Sequence, residues 1–101
     1  MVAAAPNRTA LVARVEARRP HPSVGRWDVL SLRVESSAPV DGYRDMVAAD
    51  TGRRLEVAVD RDRLPADVDL VGRTVRLTAS VAGPGVLTAV PAGSAATVRP
   101  E

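Results

Sequence analysis

The stretch Asp50–Leu77, DTGRRLEVAVDRDRLPADVDLVGRTVRL, decides the fold class of this chain. Leu55, Val57 and Val59 alternate with charged and small residues, which is the period-two pattern of a strand with one buried face. Gly52 stands in a predicted tight turn, where a residue that tolerates positive φ is needed. The stretch therefore predicts a turn, a strand, a short polar crossover and a second strand, which indicates a small β-barrel or β-sandwich.

Similar alternation recurs along the rest of the sequence, interrupted at short intervals by Gly and Pro. We predict six strands and a short final edge at Thr9–Arg18, Trp27–Glu35, Tyr43–Ala49, Arg54–Asp60, Arg73–Val81, Val86–Val90 and Thr97–Arg99. In the first strand, every second residue from Leu11 to Ala17 is apolar, which favours a strand over the helix that this composition also allows. The fold class is therefore predicted to be all-β.

The connections between the predicted strands are short and rich in turn-forming residues. Predicted loops and turns lie at Arg19–Arg26, Ser36–Gly42, Asp50–Gly52 and Gly83–Gly85. The turn Asp50–Gly52 is expected to join Tyr43–Ala49 to Arg54–Asp60 as a hairpin. Within the polar crossover Arg61–Leu70, the pair Leu64-Pro65 is the predicted start of one helical turn.

The length and composition of the sequence indicate its domain organisation and exclude cysteine chemistry. A sequence of 101 residues suffices for one hydrophobic core, and we assign residues 9–91 to a single barrel domain, 1–8 to a flexible N-terminus and 92–101 to a small-residue tail. There is no Cys, which excludes disulfides and thiolate metal sites. The apolar run Met1–Ala5 is too short for a signal peptide or a membrane span, so we expect a cytoplasmic protein without membrane contact.

Arginine dominates the basic residues of the protein. All 14 basic residues are Arg, a bias that indicates a high-GC bacterial genome. The Arg content therefore needs no nucleic-acid partner to explain it, and the formal net charge is only +2.

Four segments together resemble the OB-fold. They are Trp27–Val34, the hairpin arm Thr51–Val59, the crossover Leu64–Gly72 and the final hairpin Val75–Val90. The resemblance implies a five- to six-stranded OB-like barrel with a short crossover, in which the first loop and the adjacent sheet face often contact oligonucleotides. An immunoglobulin-like β-sandwich is the main alternative, and an SH3-like barrel is the third.

The candidates for catalysis and metal binding are few. His21 is the only His, and it lies between two prolines in a predicted loop, where a solvated side chain is expected. The acidic set Asp60, Asp62, Asp67 and Asp69 is interleaved with Arg and lacks the central Gly and closing Glu of a calcium loop. We therefore predict a protein that is not an enzyme and that has neither a cofactor nor a metal.

The basic charge is concentrated around the first predicted loop. Residues 1–40 carry six Arg against three acids, a net charge of +3. The candidate binding surface consists of Arg18, Arg19, His21, Arg26, Trp27, Val29 and Arg33. Val12, Val29 and Trp27 lie in the polar phase of their strands, which predicts an exposed apolar patch. We predict a binding or assembly module for a protein partner or for self-association; the alternative is a weak single-stranded nucleic-acid binder.

Overall fold

The computed structural model describes residues 7–45, 47, 50–65, 68–83, 86–90 and 98–100. Its strands are β1 (Thr9–Pro20), β2 (Trp27–Pro39), β3 (Arg54–Asp60), β4 (Thr74–Gly83), β5 (Val86–Val90) and β6 (Val98–Pro100). One turn of 3-10 helix, Arg61–Arg63, follows β3 directly. The prediction of an all-β protein is confirmed.

The first five strands close into a barrel in the order β1-β2-β3-β5-β4, because β4 pairs back onto β1. The pairing of β3 with β5 is parallel and rests on the single register pair Ala58 and Thr88, whereas the other contacts of the ring are antiparallel. Beyond the end of β5, β6 pairs with the start of β4, from Val75 to Leu77. This ring confirms the predicted OB-like barrel over a two-sheet sandwich.

The alternating apolar residues of the strands fill the barrel. The fully buried side chains include Leu11, Val15, Leu30, Leu32, Val34, Val57, Val59 and Val75. The connection between β3 and β4 adds Leu64 and Leu70, and Val68 packs against the same cluster. Within the described part of this connection, the helical structure is the single turn Arg61–Arg63, and these three apolar side chains pack against the core in the position of a closing helix.

The segment Tyr43–Ala49 was predicted as a strand, and this prediction is wrong for the described residues. Arg44 forms one isolated bridge with Asn7, and residues 46, 48 and 49 lie outside the described part. The antiparallel partner of β3 is β2. This strand continues through the predicted loop at Ser36 as far as Pro39 because it pairs along the whole of β1. The turn itself is present at Gly52, which has a φ of 87°.

A β-bulge changes the phase of β1. The register between β1 and β2 shifts between Val15 and Ala17, so Glu16 has no opposing residue. Ala17 is consequently exposed, although strict alternation predicted it on the buried face. Arg18 takes the inward phase instead and pairs with the buried Leu30.

The predicted boundaries also change in three places. The helical turn ends at Arg63, before the pair Leu64-Pro65 at which it was predicted to start. Asn7 belongs to the fold, since it is only 4 % exposed and its side chain donates to the carbonyl of Val81. The short final edge is present as β6, within the predicted tail, while the predicted turn residues 84 and 85 and residue 97 lie outside the described part.

Candidate functional site

The outer face of β1, β2 and β3 carries four of the predicted surface residues. On β2, Leu30 and Leu32 point into the barrel, so Trp27, Val29 and Arg33 point outwards. Arg19 on β1 pairs with Val29 on β2 and therefore shares that face. The strand register thus brings together four residues that were predicted from their phase and position.

A shallow groove of about 430 Å³ crosses this face, and we refer to it as the trough. It is lined by Glu16, Ala17, Ser31, Arg54, Leu55 and Glu56. Ala17, Ser31 and Glu56 form one cross-strand row through β1, β2 and β3. Ala17 and Ser31 have short side chains and form the floor of the trough. The longer charged side chains of Glu16, Arg54 and Glu56 form its walls.

The charges around the trough are paired across the strands. Arg19 forms an ion pair with Glu56. Glu16, the bulged residue, receives Arg33 at 3.2 Å and Arg54 at 3.3 Å. These side chains are substantially exposed, so each pair contributes little to stability. The arrangement presents three Arg and two Glu, a local net charge of +1.

The predicted apolar patch does not form as one surface. Val29 is only 8 % exposed, and Trp27 is half-buried. Val12 pairs with Ser36, whereas Val29 lies seven residues earlier on β2. Near the first loop, the apolar side chains that reach solvent are therefore the half-buried Trp27 and Val24, which is 43 % exposed.

Arg18 lies at the barrel end and binds Asp28, which was not among the predicted residues. The Asp28 side chain is 6 % exposed; its Oδ2 accepts from Arg18 Nε at 2.7 Å. Its Oδ1 accepts from Arg61 Nη2 at 2.9 Å and from Arg61 Nε at 3.2 Å. Hydrogen bonding to Arg61 lowers the pKa of Asp28, burial opposes this shift, and Arg18 lowers the pKa further. The cluster joins β1, β2 and the 3-10 turn.

A signal for this cluster exists in the sequence. Asp28 occupies the same phase as Leu30 and Leu32, so strand alternation places a carboxylate on the buried face. Buried carboxylates require hydrogen-bonded partners, which predicts cationic neighbours. The identity of Arg61 depends on the register of β2 against β3, which local pattern does not specify.

The remaining predicted residues shape the first loop. His21 Nδ1 accepts from the backbone N–H groups of Ser23 and Val24 at 3.0 and 3.1 Å. Arg26 forms an ion pair with Asp62 beyond β3. Since its Nδ1 holds the loop, His21 has a structural use in this arrangement.

The acidic residues of the connection after β3 serve local turns. Asp60 Oδ1 accepts from the N–H of Asp62, and Asp69 Oδ1 accepts from the N–H of Val71. In the described ranges no group of three or more His, Cys, Asp or Glu residues is placed to hold a metal ion. The helical segment that the structure describes, Arg61–Arg63, is far too short to span a bilayer.

No protein-family model matches this sequence, and comparison with curated proteins and with solved structures finds no match either.

Proposed function

We propose that the protein is an OB-fold binding module that holds an extended segment of a partner protein in the trough. The observation that carries this proposal is the row Ala17, Ser31 and Glu56, a low floor between charged walls on the outer face of β1–β3. That face, with the first loop, is the usual ligand surface of OB-folds. Assignment to the OB-fold is supported by the three-strand meander, the crossover and the closing hairpin.

The charge pattern favours a polypeptide of mixed charge as the occupant. Glu16 and Glu56 can each accept from a Lys or Arg side chain of the partner, and Arg54 can donate to an acidic one. Polar groups arranged in this way give specificity and association rate more than raw affinity. We therefore propose a weak or transient complex, with a non-enzymatic role for the protein.

Nucleic acid is the second candidate, and the ion pairs weigh against it. Arg18, Arg19, Arg26 and Arg33 each contact a carboxylate. Binding a phosphate backbone would set negative charge beside Glu16, Glu56 and Asp62. Single-strand binding also uses several stacked aromatics, and Trp27 is the one aromatic on this face within the described residues.

The proposal is tested by NMR titration of the 15N-labelled protein with two probes at physiological salt. One probe is a short capped peptide in which Glu and Lys alternate with Val and Thr, and the other is an oligothymidylate. We expect the peptide to shift the amide signals of Ala17, Ser31 and Glu56 and the oligonucleotide to leave them unchanged. Shifts of these amides by the oligonucleotide alone would instead support the nucleic-acid alternative, and concentration-dependent shifts without a probe would support self-association.

A further inference from the structure

The ion cluster at the barrel end has hydrogen-bond donors to spare. Arg18 uses only its Nε on Asp28, and Arg61 uses Nε and Nη2. Among the residues that the structure describes, both Nη groups of Arg18 and the Nη1 of Arg61 have no acceptor. Each guanidinium is held at its inner edge by the same buried carboxylate, so its outer donors are oriented before any ligand arrives.

Arg18 and Arg61 line a recess of about 410 Å³, which we refer to as the notch. It lies between the end of β1 and the segment after β3, and Arg18, Arg61, Asp62, Leu64 and Pro65 line it. Asp62 forms an ion pair with Arg26. Leu64 and Pro65 give the notch an apolar side that suits the aliphatic part of a peptide.

The charge of the notch selects among anions. Two guanidinium groups and the Asp28 carboxylate leave a net charge of +1, since Asp62 and Arg26 offset each other. One carboxylate neutralises this charge. A phosphate dianion would exceed it in the presence of the Asp28 and Asp62 carboxylates, which would repel the surplus charge.

We propose that Arg18 and Arg61, oriented by Asp28, bind one carboxylate group of a partner protein in the notch. This proposal rests on the proposed function in one respect: it takes a protein as the source of the carboxylate. The two sites are otherwise independent, since the notch and the trough share no lining residue. An Asp or Glu residue of the partner and its free C-terminal carboxylate offer the same chemistry, so the experiment distinguishes these two sources.

The test follows the Nε–H signals of Arg18 and Arg61 by NMR while three probes are added to the folded protein. The first probe is acetyl-Gly-Gly-Glu-Gly-Gly-amide, the second is acetyl-pentaglycine with a free carboxyl end, and the third is inorganic phosphate. We expect at least one peptide to shift both signals at lower concentration than phosphate does, and the more effective peptide identifies the source. Equal or stronger binding of phosphate overturns the proposal, as does the absence of any shift with either peptide.

Substitutions distinguish specific binding in the notch from a nonspecific attraction of the peptide to positive charge. Arg61→Gln is expected to weaken binding of the effective peptide about tenfold, whereas Arg63→Gln, in the same 3-10 turn, leaves it unchanged. Equal losses in the two variants overturn the proposal. Asp28→Asn raises the net charge of the notch to +2 but leaves one acceptor oxygen for two guanidinium groups, so weaker binding supports orientation by Asp28 and tighter binding contradicts it.

The notch and the trough can fail independently. If the Glu/Lys peptide shifts the amide signals of Ala17 and Ser31 while neither glycine-based peptide shifts the signals of Arg18 and Arg61, the proposed function stands and the notch is rejected. If a glycine-based peptide shifts the signals of the two arginines while the Glu/Lys peptide leaves Ala17 and Ser31 unchanged, the notch is supported and the trough is rejected. Arg18→Lys, which keeps the charge but loses the fork of donors, provides a second variant should Arg61→Gln fail to fold; we expect it too to weaken binding, and unchanged affinity would contradict the notch.

Discussion

Asp28 on β2 and Arg61, directly after β3, are joined by two hydrogen bonds that reach a carboxylate almost wholly removed from solvent. Arg18 on β1 donates to the other oxygen, so the Asp28 carboxylate links β1 and β2 to the 3-10 turn that follows β3. Both oxygens of the carboxylate are therefore engaged by guanidinium groups from two different elements.

Removing this carboxylate should destabilise the barrel. Asp28→Ala leaves two arginines without their acceptor, and we expect a loss of about 1–3 kcal/mol in the free energy of unfolding. Asp62→Ala, which breaks only an exposed ion pair, should change stability by less than about 0.5 kcal/mol. Urea titration of both variants provides the measurement, and equal effects would show that Asp28 has no special structural role.

The same carboxylate should give stability a characteristic dependence on pH. The pKa of Asp28 is lowered in the folded protein, so its contribution is present above the unfolded pKa of about 4 and is lost as pH falls through the lower folded pKa. The wild type should therefore lose stability more steeply than Asp28→Asn below about pH 4. Denaturant titrations at several pH values test this difference, and parallel curves would contradict it.

Strand alternation and turn residues predicted much of this fold from sequence. The described residues of the segment Asp50–Leu77 form the turn, the strand and the second strand that its pattern predicted, with Gly52 and Gly72 both at a φ of 87°. The bulge at Glu16 was not predictable in this way, because its sequence continues the alternation without interruption. It depends on pairing with β2, and so does the phase change that turns Arg18 inwards.

Strand alternation also predicted part of the candidate site. Trp27, Val29 and Arg33 share a face because they are separated by even numbers of residues along one strand. Their neighbours Glu16 and Glu56, which pair with the arginines, come from other strands and are specified by register. The sequence around the first loop shows an excess of Arg. In the folded protein, Arg residues on this face form ion pairs with Glu16 and Glu56, which come from other strands.

Gly72 should be intolerant of a side chain. Its φ of 87° lies in a region that L-residues with a Cβ rarely adopt, so Gly72→Ala should cost about 1–2 kcal/mol. Gly25→Ala is the matched control, since Gly25 is not among the glycines with positive φ and no atom lies within 4 Å of an added Cβ. Thermal unfolding of the two variants distinguishes them, and equal melting temperatures would argue against a strained turn at Gly72.

A substitution at Leu70 tests whether the connection between β3 and β4 contributes to the hydrophobic core. This residue is 0 % exposed, whereas its neighbour Val71 is 46 % exposed. Leu70→Ala should lower the free energy of unfolding by about 2–4 kcal/mol because it leaves a cavity in the barrel. Val71→Ala should stay within about 0.5 kcal/mol of the wild type. A small effect at Leu70 would mean that the segment closes the barrel without contributing to its core.

Filling the floor of the trough tests whether it binds an extended segment of a partner protein. Ser31→Arg places a long side chain in the trough, and Ser36→Arg makes the same change at an exposed position farther along β2. Isothermal titration of the capped Glu/Lys peptide into the wild type and both variants compares their affinities. We expect Ser31→Arg to lose affinity by about tenfold or more, the equivalent of roughly 1.4 kcal/mol, and Ser36→Arg to bind as the wild type does. Equal affinity for all three proteins, or no binding by the wild type, would contradict this expectation.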